Sequence, residues 1–165
     1  MAVYHDIIEI NSGYRVSFDD VTDKVCEIVS QSGIQNGLVN VYSQHTSCSV
    51  FLQEDSEDIT YWNTPLILQD MINVLEKIIP TCQYEGQYLH PGPIHTKNAM
   101  DLRDEKSEWL LNTDGHLRSV LLGRSETIPL MAGEMILGEF GRIYFSDMDQ
   151  TRERVRKVHI QIIGD

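Results

Sequence analysis

His45 stands in the run Gln44-His45-Thr46-Ser47-Cys48-Ser49, close to the hydroxyls of Thr46, Ser47 and Ser49. His90 follows Tyr88-Leu89 in an irregular stretch, and His116 lies in Asn112-Thr113-Asp114-Gly115-His116-Leu117-Arg118. Three histidines presented by three separate elements could bind zinc and leave a fourth position open to water or substrate. Asn112 or Asp114 can cap a helix, which puts His116 in its first turn. A helix amino end disfavours a protonated imidazole, so a neutral, ligand-ready ring suits that place. Asp114 is better suited to orient a ligand than to act as a nucleophile. His5 and His159 fall in strand-like stretches without a partner pattern and read as structural.

Other chemistries find less support. Neither Ser47 nor Ser49 lies in a G-x-S-x-G elbow, although both could touch a substrate beside His45. No P-loop or dinucleotide fingerprint is present. Arg152, Arg154, Arg156 and Lys157 form the only basic cluster, and strand alternation puts the three arginines on one side. There they could hold phosphate groups, or form a solvated face or an interface matched to acidic residues. Asp147 and Asp149 are either a carboxylate pair or an aspartate-rich turn. Cys26, Cys48 and Cys82 form no C-x-x-C pair, so reduced thiols are expected.

A chain of 165 residues, 41% hydrophobic and 23% charged, suits one globular domain with a real core. Its formal charge of −12 argues against nucleic-acid binding but leaves room for a small anion held by local arginines. No apolar run approaches the ~20 residues needed to cross a bilayer, so no membrane association is expected. The first residues show no basic region followed by an apolar one, which makes a cytoplasmic location the expectation.

The elements that must position these residues follow from periodicity. Tyr4 to Asn11 and Tyr14 to Phe18 read as strands around a Ser12-Gly13 turn. Asp19 is expected to cap a helix carrying Val21, Val25, Ile28 and Val29, with Gly33 ending it. Strands follow at Gly37 to Ser43 and through Cys48, Val50 and Leu52, joined at His45 by a bend or bulge. Thr64-Pro65 starts a long amphipathic helix that runs to Pro80. Residues 81–111 are the least regular, and a loop of that length in a compact domain is usually functional or partly disordered. A helix over 112–123 comes next, with Leu117, Val120 and Leu121 as its apolar face. Strands are expected at Glu126 to Leu130, at Met135 to Phe145 with breaks near Gly138 and Gly141, and at Val155 to Ile163. The pattern predicts an α+β fold with a mainly antiparallel or mixed sheet and two to three helices.

Several of these segments together resemble the YjbQ family, also called the secondary thiamine-phosphate synthase family. The Gln44 to Ser49 run is similar to its Gln-His-Thr-Ser-Ala-Ser segment, with Glu54-Asp55 at the distance of a family Glu-Asn. Asn112 to Arg118, running on to Leu121-Leu122-Gly123, resembles its Asn-x-Asp-x-His-x-Lys/Arg…Leu-Leu-Gly motif, and Tyr88-x-His90 resembles the preceding Tyr-x-His. Ile143-Tyr144, Asp149, Arg152, Arg154 and the Gln161 to Asp165 ending resemble the last two family strands.

The resemblance covers nearly the whole chain and implies a compact YjbQ-like domain over residues 1–165, commonly a homotrimer with its site near the subunit boundary. It implies a metal-dependent enzyme with weak thiamine-phosphate synthase activity, a transferase that joins a pyrimidine pyrophosphate to a thiazole phosphate. His45, His90 and His116 would hold a divalent metal, zinc by expectation. His45, His116, Asp114 and Arg118 would form the catalytic group. Ser47, Ser49, Arg152 and Arg154 would contact a small anionic or phosphorylated metabolite. A metal-dependent hydrolase, a non-catalytic trimeric binding module and a pure assembly protein are the alternatives. The chain departs from the family at Gly138-Glu139-Phe140-Gly141-Arg142, where Gly-Thr-Trp-Gln-Gly is usual. It also carries an inserted loop at about residues 91–111, longer than connections of this kind usually are.

Overall fold

The computed structural model describes residues 1–165. Eight strands and four α-helices follow one another as β1 (Ala2–Ser12), β2 (Ser17–Asp20), α1 (Thr22–Ser32), β3 (Gly37–Ser43), β4 (Cys48–Glu54), α2 (Leu66–Ile78), α3 (Pro93–Arg103), α4 (Thr113–Leu122), β5 (Ser125–Met131), β6 (Glu134–Met135), β7 (Gly141–Asp147) and β8 (Arg154–Gly164). A short 3-10 turn at Ser107–Leu110 lies between α3 and α4. The fold is α+β, and every strand pairing is antiparallel. One sheet has the order β1-β8-β3-β5-β6 and the other β2-β7-β4.

Alternation along the strands builds the core. In β8, Arg156, Val158, Ile160 and Ile162 point inward while Val155, Lys157 and Gln161 face out. Matching residues on β1, β3 and β5 meet Val50, Ile143 and Phe145 of the smaller sheet and Val25, Ile28 and Val29 of α1. The other face of the smaller sheet packs Phe51 and Tyr144 against Leu68 of α2. Two glycines allow β3 and β8 to meet closely: a Cβ on Gly37 would lie 2.0 Å from the Ile163 carbonyl oxygen, and one on Gly164 2.0 Å from that of Asn36.

Three expectations need correction. Asp20, not Asp19, accepts the Thr22 amide at 2.9 Å and so serves the start of α1. Asp19 is instead largely enclosed, and burial raises its carboxyl above the usual range despite Lys24. The bend expected at His45 is a turn, closed by the Cys48 amide donating to the His45 carbonyl at 3.1 Å; β3 and β4 belong to different sheets, and residues 44–47 carry the chain across between them. The inserted stretch 91–111 is not a bare loop, because α3 and the 3-10 turn occupy most of it. With α3 the helices number four rather than two to three.

Candidate functional site

α4 buries its polar face. Thr113, Asp114, Gly115, Arg118 and Ser119 point inward, whereas Val120 is 81% exposed and Leu117 and Leu121 also face outward. Buried polar groups need partners, and these have them. The Arg118 guanidinium donates to Glu76 at 2.6 Å and to the Ile79 carbonyl at 2.7 Å. Burial raises the Asp114 carboxyl although the Cys82 and Gly115 amides and Arg118 favour its charged form. Arg118 and Asp114 thus pin the chain after α2 against α4. Arg118, 1% exposed, is a structural cation rather than a phosphate contact, and Asp114 bonds to the backbone rather than to His116.

His116 opens onto a cavity of about 250 Å³ shared with His90, His95, Arg103, Arg152 and Arg154, in which Glu105 is the one carboxylate. The ring of His90 lies 4.9 Å from that of His95 and 6.0 Å from that of His116, centre to centre. Its tautomer follows from its neighbours. The Thr113 hydroxyl donates to the His90 carbonyl at 2.8 Å, so it accepts from His90 Nδ1–H at 2.9 Å. That leaves the His90 Nε2 lone pair unused. Burial, then the charges of His95 and His116, hold His90 below the ordinary histidine range.

The arginines are held by carboxylates behind them. Arg152 donates to Glu105 at 3.2 Å and lies 4.4 Å above the centre of the Trp109 ring. Arg154 meets Asp149 at 2.9 Å, while its Nε–H is buried without a partner. For Asp149 burial is the largest influence, but bonds from Thr151 and Asn112 and the charge of Arg154 outweigh it and keep the carboxyl low. Asn112 donates to that same carboxylate at 3.0 Å, which ties the start of α4 to the turn before β8.

His45 is placed apart from His90 and His116. It lines a broad, open cavity of about 670 Å³ with Tyr14 and Arg156. Trp109, Arg152 and Arg154 line both cavities and stand between the two histidine groups. His45 Nε2 accepts the Lys157 amide proton at 2.9 Å. Burial, then Arg156, lower its pKa, so the ring is neutral with its proton on Nδ1 and no lone pair to spare. No three histidine, cysteine or carboxylate side chains converge as a metal-binding group. Within one chain, then, His45, His90 and His116 do not form a ligand set, and the cavity of His90 and His116 is rich in guanidinium charge.

Ser47 and Ser49 line neither cavity. Ser47 is 2% exposed and its hydroxyl accepts from Arg156 at 3.1 Å. Ser49 is fully buried on β4. The altered 138–142 segment lies elsewhere as well. Arg142 pairs with Asp20 at 2.7 Å and Asp23 at 3.2 Å, and Phe140 is exposed. His95 stands in the irregular stretch 81–111 without a motif to single it out, and neither Arg103 nor Trp109 carries one. The available signal was Gly92-Pro93, a helix start of the proline-first kind that opens α3.

The profile of the family described as "UPF0047 protein YjbQ-like" matches residues 6–165. A UPF0047 protein of Methanothermobacter thermautotrophicus is 32% identical over 164 residues, 99% of this chain and 94% of the relative. A crystal structure of a YbjQ-like protein of unknown function from Sulfolobus solfataricus superimposes with a TM-score of 0.76 at 21% identity, covering 99% of each chain. One of a hypothetical protein from Aeropyrum pernix gives 0.73 at 27% identity, over 98% of this chain and 99% of the other. With a family match over nearly its whole length and a relative above 30% identity, this chain belongs to the UPF0047 YjbQ-like family.

Proposed function

We propose that the cavity of His90, His95 and His116 binds a small phosphorylated metabolite, and that the protein is a transferase of the thiamine-phosphate synthase kind. One observation carries this reading: three imidazoles and three guanidiniums face one carboxylate in a cavity of a chain whose net charge is −12. In such a reaction pyrophosphate leaves a pyrimidine and a thiazole phosphate replaces it. Arg152 and Arg154, already oriented by Glu105 and Asp149, would meet the charge that grows on the leaving group. The neutral His90, with its free Nε2, is placed to exchange a proton with a phosphate oxygen. The donors of one chain do not suit a three-histidine zinc ion, and no step is assigned to a metal.

A homotrimer belongs to the same reading. The outward apolar face of α4 begins one residue after His116, so a second copy seated there would close the site. A non-catalytic binding module is favoured by one feature: the paired arginines form a rigid anion cradle without a nucleophile beside it.

Binding and turnover separate these readings. Pyrophosphate and a thiazole phosphate should raise the melting temperature, and Arg152→Ala should weaken pyrophosphate binding about tenfold or more, as loss of a charge-assisted contact does. Product formation lost in His116→Ala supports the transferase. Stabilisation without product supports the binding module, and no response to any phosphate compound overturns both.

A further inference from the structure

His5 and His159 meet on the outer face of the five-stranded sheet. β1 pairs with β8 so that His5 faces Gln161 and Ile7 faces His159, which makes the two histidines diagonal neighbours. His5 Nε2 lies 3.2 Å from His159 Nδ1, and the rings stack with centres 5.4 Å apart. Gln44 Oε1 sits 3.2 Å from His159 Nε2. An amide oxygen only accepts, so His159 carries its proton on Nε2 and turns the Nδ1 lone pair toward His5.

A hydrogen bond between the rings satisfies this geometry, and so does a metal ion. Two imidazole nitrogens on one tetrahedral zinc, with bonds of about 2.0–2.1 Å, stand about 3.3 Å apart. The two nitrogens, 3.2 Å apart, are therefore at ligand spacing, and turning both lone pairs toward one ion asks only for ring rotation. A metal-bound histidine usually gives its other N–H to an oxygen acceptor, which fixes tautomer and ring plane. Gln44 does this for His159. His5 has only to move its proton from Nε2 to Nδ1, which makes no other hydrogen bond.

We propose that His5 and His159, with Gln44 behind His159, form a surface site for a zinc-like divalent cation whose other positions are filled by water. Imidazole nitrogen suits zinc, copper and nickel better than magnesium or calcium. Lys157, the nearby cation, has its charge offset by Glu9 at 3.8 Å. The net charge of −12 favours cations at the surface. None of this depends on the anion cavity.

The test is a zinc chloride titration of the tag-free, full-length protein after chelator treatment, followed by calorimetry and by melting temperature. The expected result is uptake of about one zinc per chain through this site, with a raised melting temperature. Gln44→Ala should weaken binding roughly tenfold, and His5→Ala and His159→Ala by more than that. Their metal-free melting temperatures should match the parent, since both side chains are at the surface. Absence of zinc uptake overturns the proposal. So does uptake that survives in His5→Ala and His159→Ala, including uptake lost only in His116→Ala, which places the ion in the other cavity.

Discussion

Asp147 shows how the polar residues around the cavities divide between chemistry and cohesion. It is fully buried and takes hydrogen bonds from Arg156 at 2.6 and 3.0 Å and from the Asp149 amide at 3.0 Å. Arg156, itself buried, reaches Ser47 with the same guanidinium. Removing one member of a buried pair leaves the other charged and unsolvated. Asp147→Asn should therefore destabilise the fold by about 3 kcal/mol, read as a lower urea midpoint at an unchanged slope. A midpoint equal to the parent's would show that Asp149, 4.0 Å from Arg156, suffices as its counter-ion. Alternation puts Arg156 on the face of Val158 and Ile160, and in β8 that face is the interior. It does not tell that the buried Asp147 carboxylate meets Arg156 there, or that Arg152 lies before the strand and reaches Trp109.

At the scale of elements, periodicity located α4 almost to the residue and still misread which face is inside. Leu117, Val120 and Leu121 are at helical spacing, but the pattern reports a stripe and not what covers it. In the folded chain the covered stripe is the polar one, because Arg118 and Asp114 have backbone partners waiting at residues 79 and 82. α3 was missed for the opposite reason: Ala99 is its one buried residue, so there was no stripe to read. The inward face of α4 also packs tightly at Gly115, where an added Cβ would lie 3.0 Å from the Met148 carbonyl oxygen. Alanine favours a helix over glycine by about 1 kcal/mol, yet the clash is with backbone that cannot swing aside. Gly115→Ala is expected to lower stability by about 1–2 kcal/mol net, since overpacking outweighs propensity. It should also disturb His116, its neighbour, so pyrophosphate affinity should fall with the melting temperature. A variant as stable as the parent would mean that the start of α4 can shift without cost.

For the molecule as a whole, the antiparallel α+β character was legible because β1, β3, β5 and β8 alternate. The division into two sheets was not, because it depends on residues 44–47 crossing between layers and no local pattern marks such a crossing. The same limit applies to assembly. Monomeric proteins rarely leave a contiguous apolar stripe uncovered on a helix, and α4 leaves Leu117, Val120 and Leu121 outward beside the cavity of His116. A symmetric homotrimer would cover that stripe three times with one kind of contact. Val120 tests this with little risk to the fold, since it is 81% exposed in the single chain. Val120→Glu should convert trimer to folded monomer in light scattering after gel filtration, with an unchanged far-ultraviolet spectrum. Its loss should also weaken pyrophosphate binding if a neighbouring copy closes the site. Because each copy carries a charge of −12, added salt should favour the parent trimer by screening repulsion between copies. A parent protein that runs as a monomer across concentration and salt would sink the assembly, and the stripe on α4 would then be left for a different partner to cover.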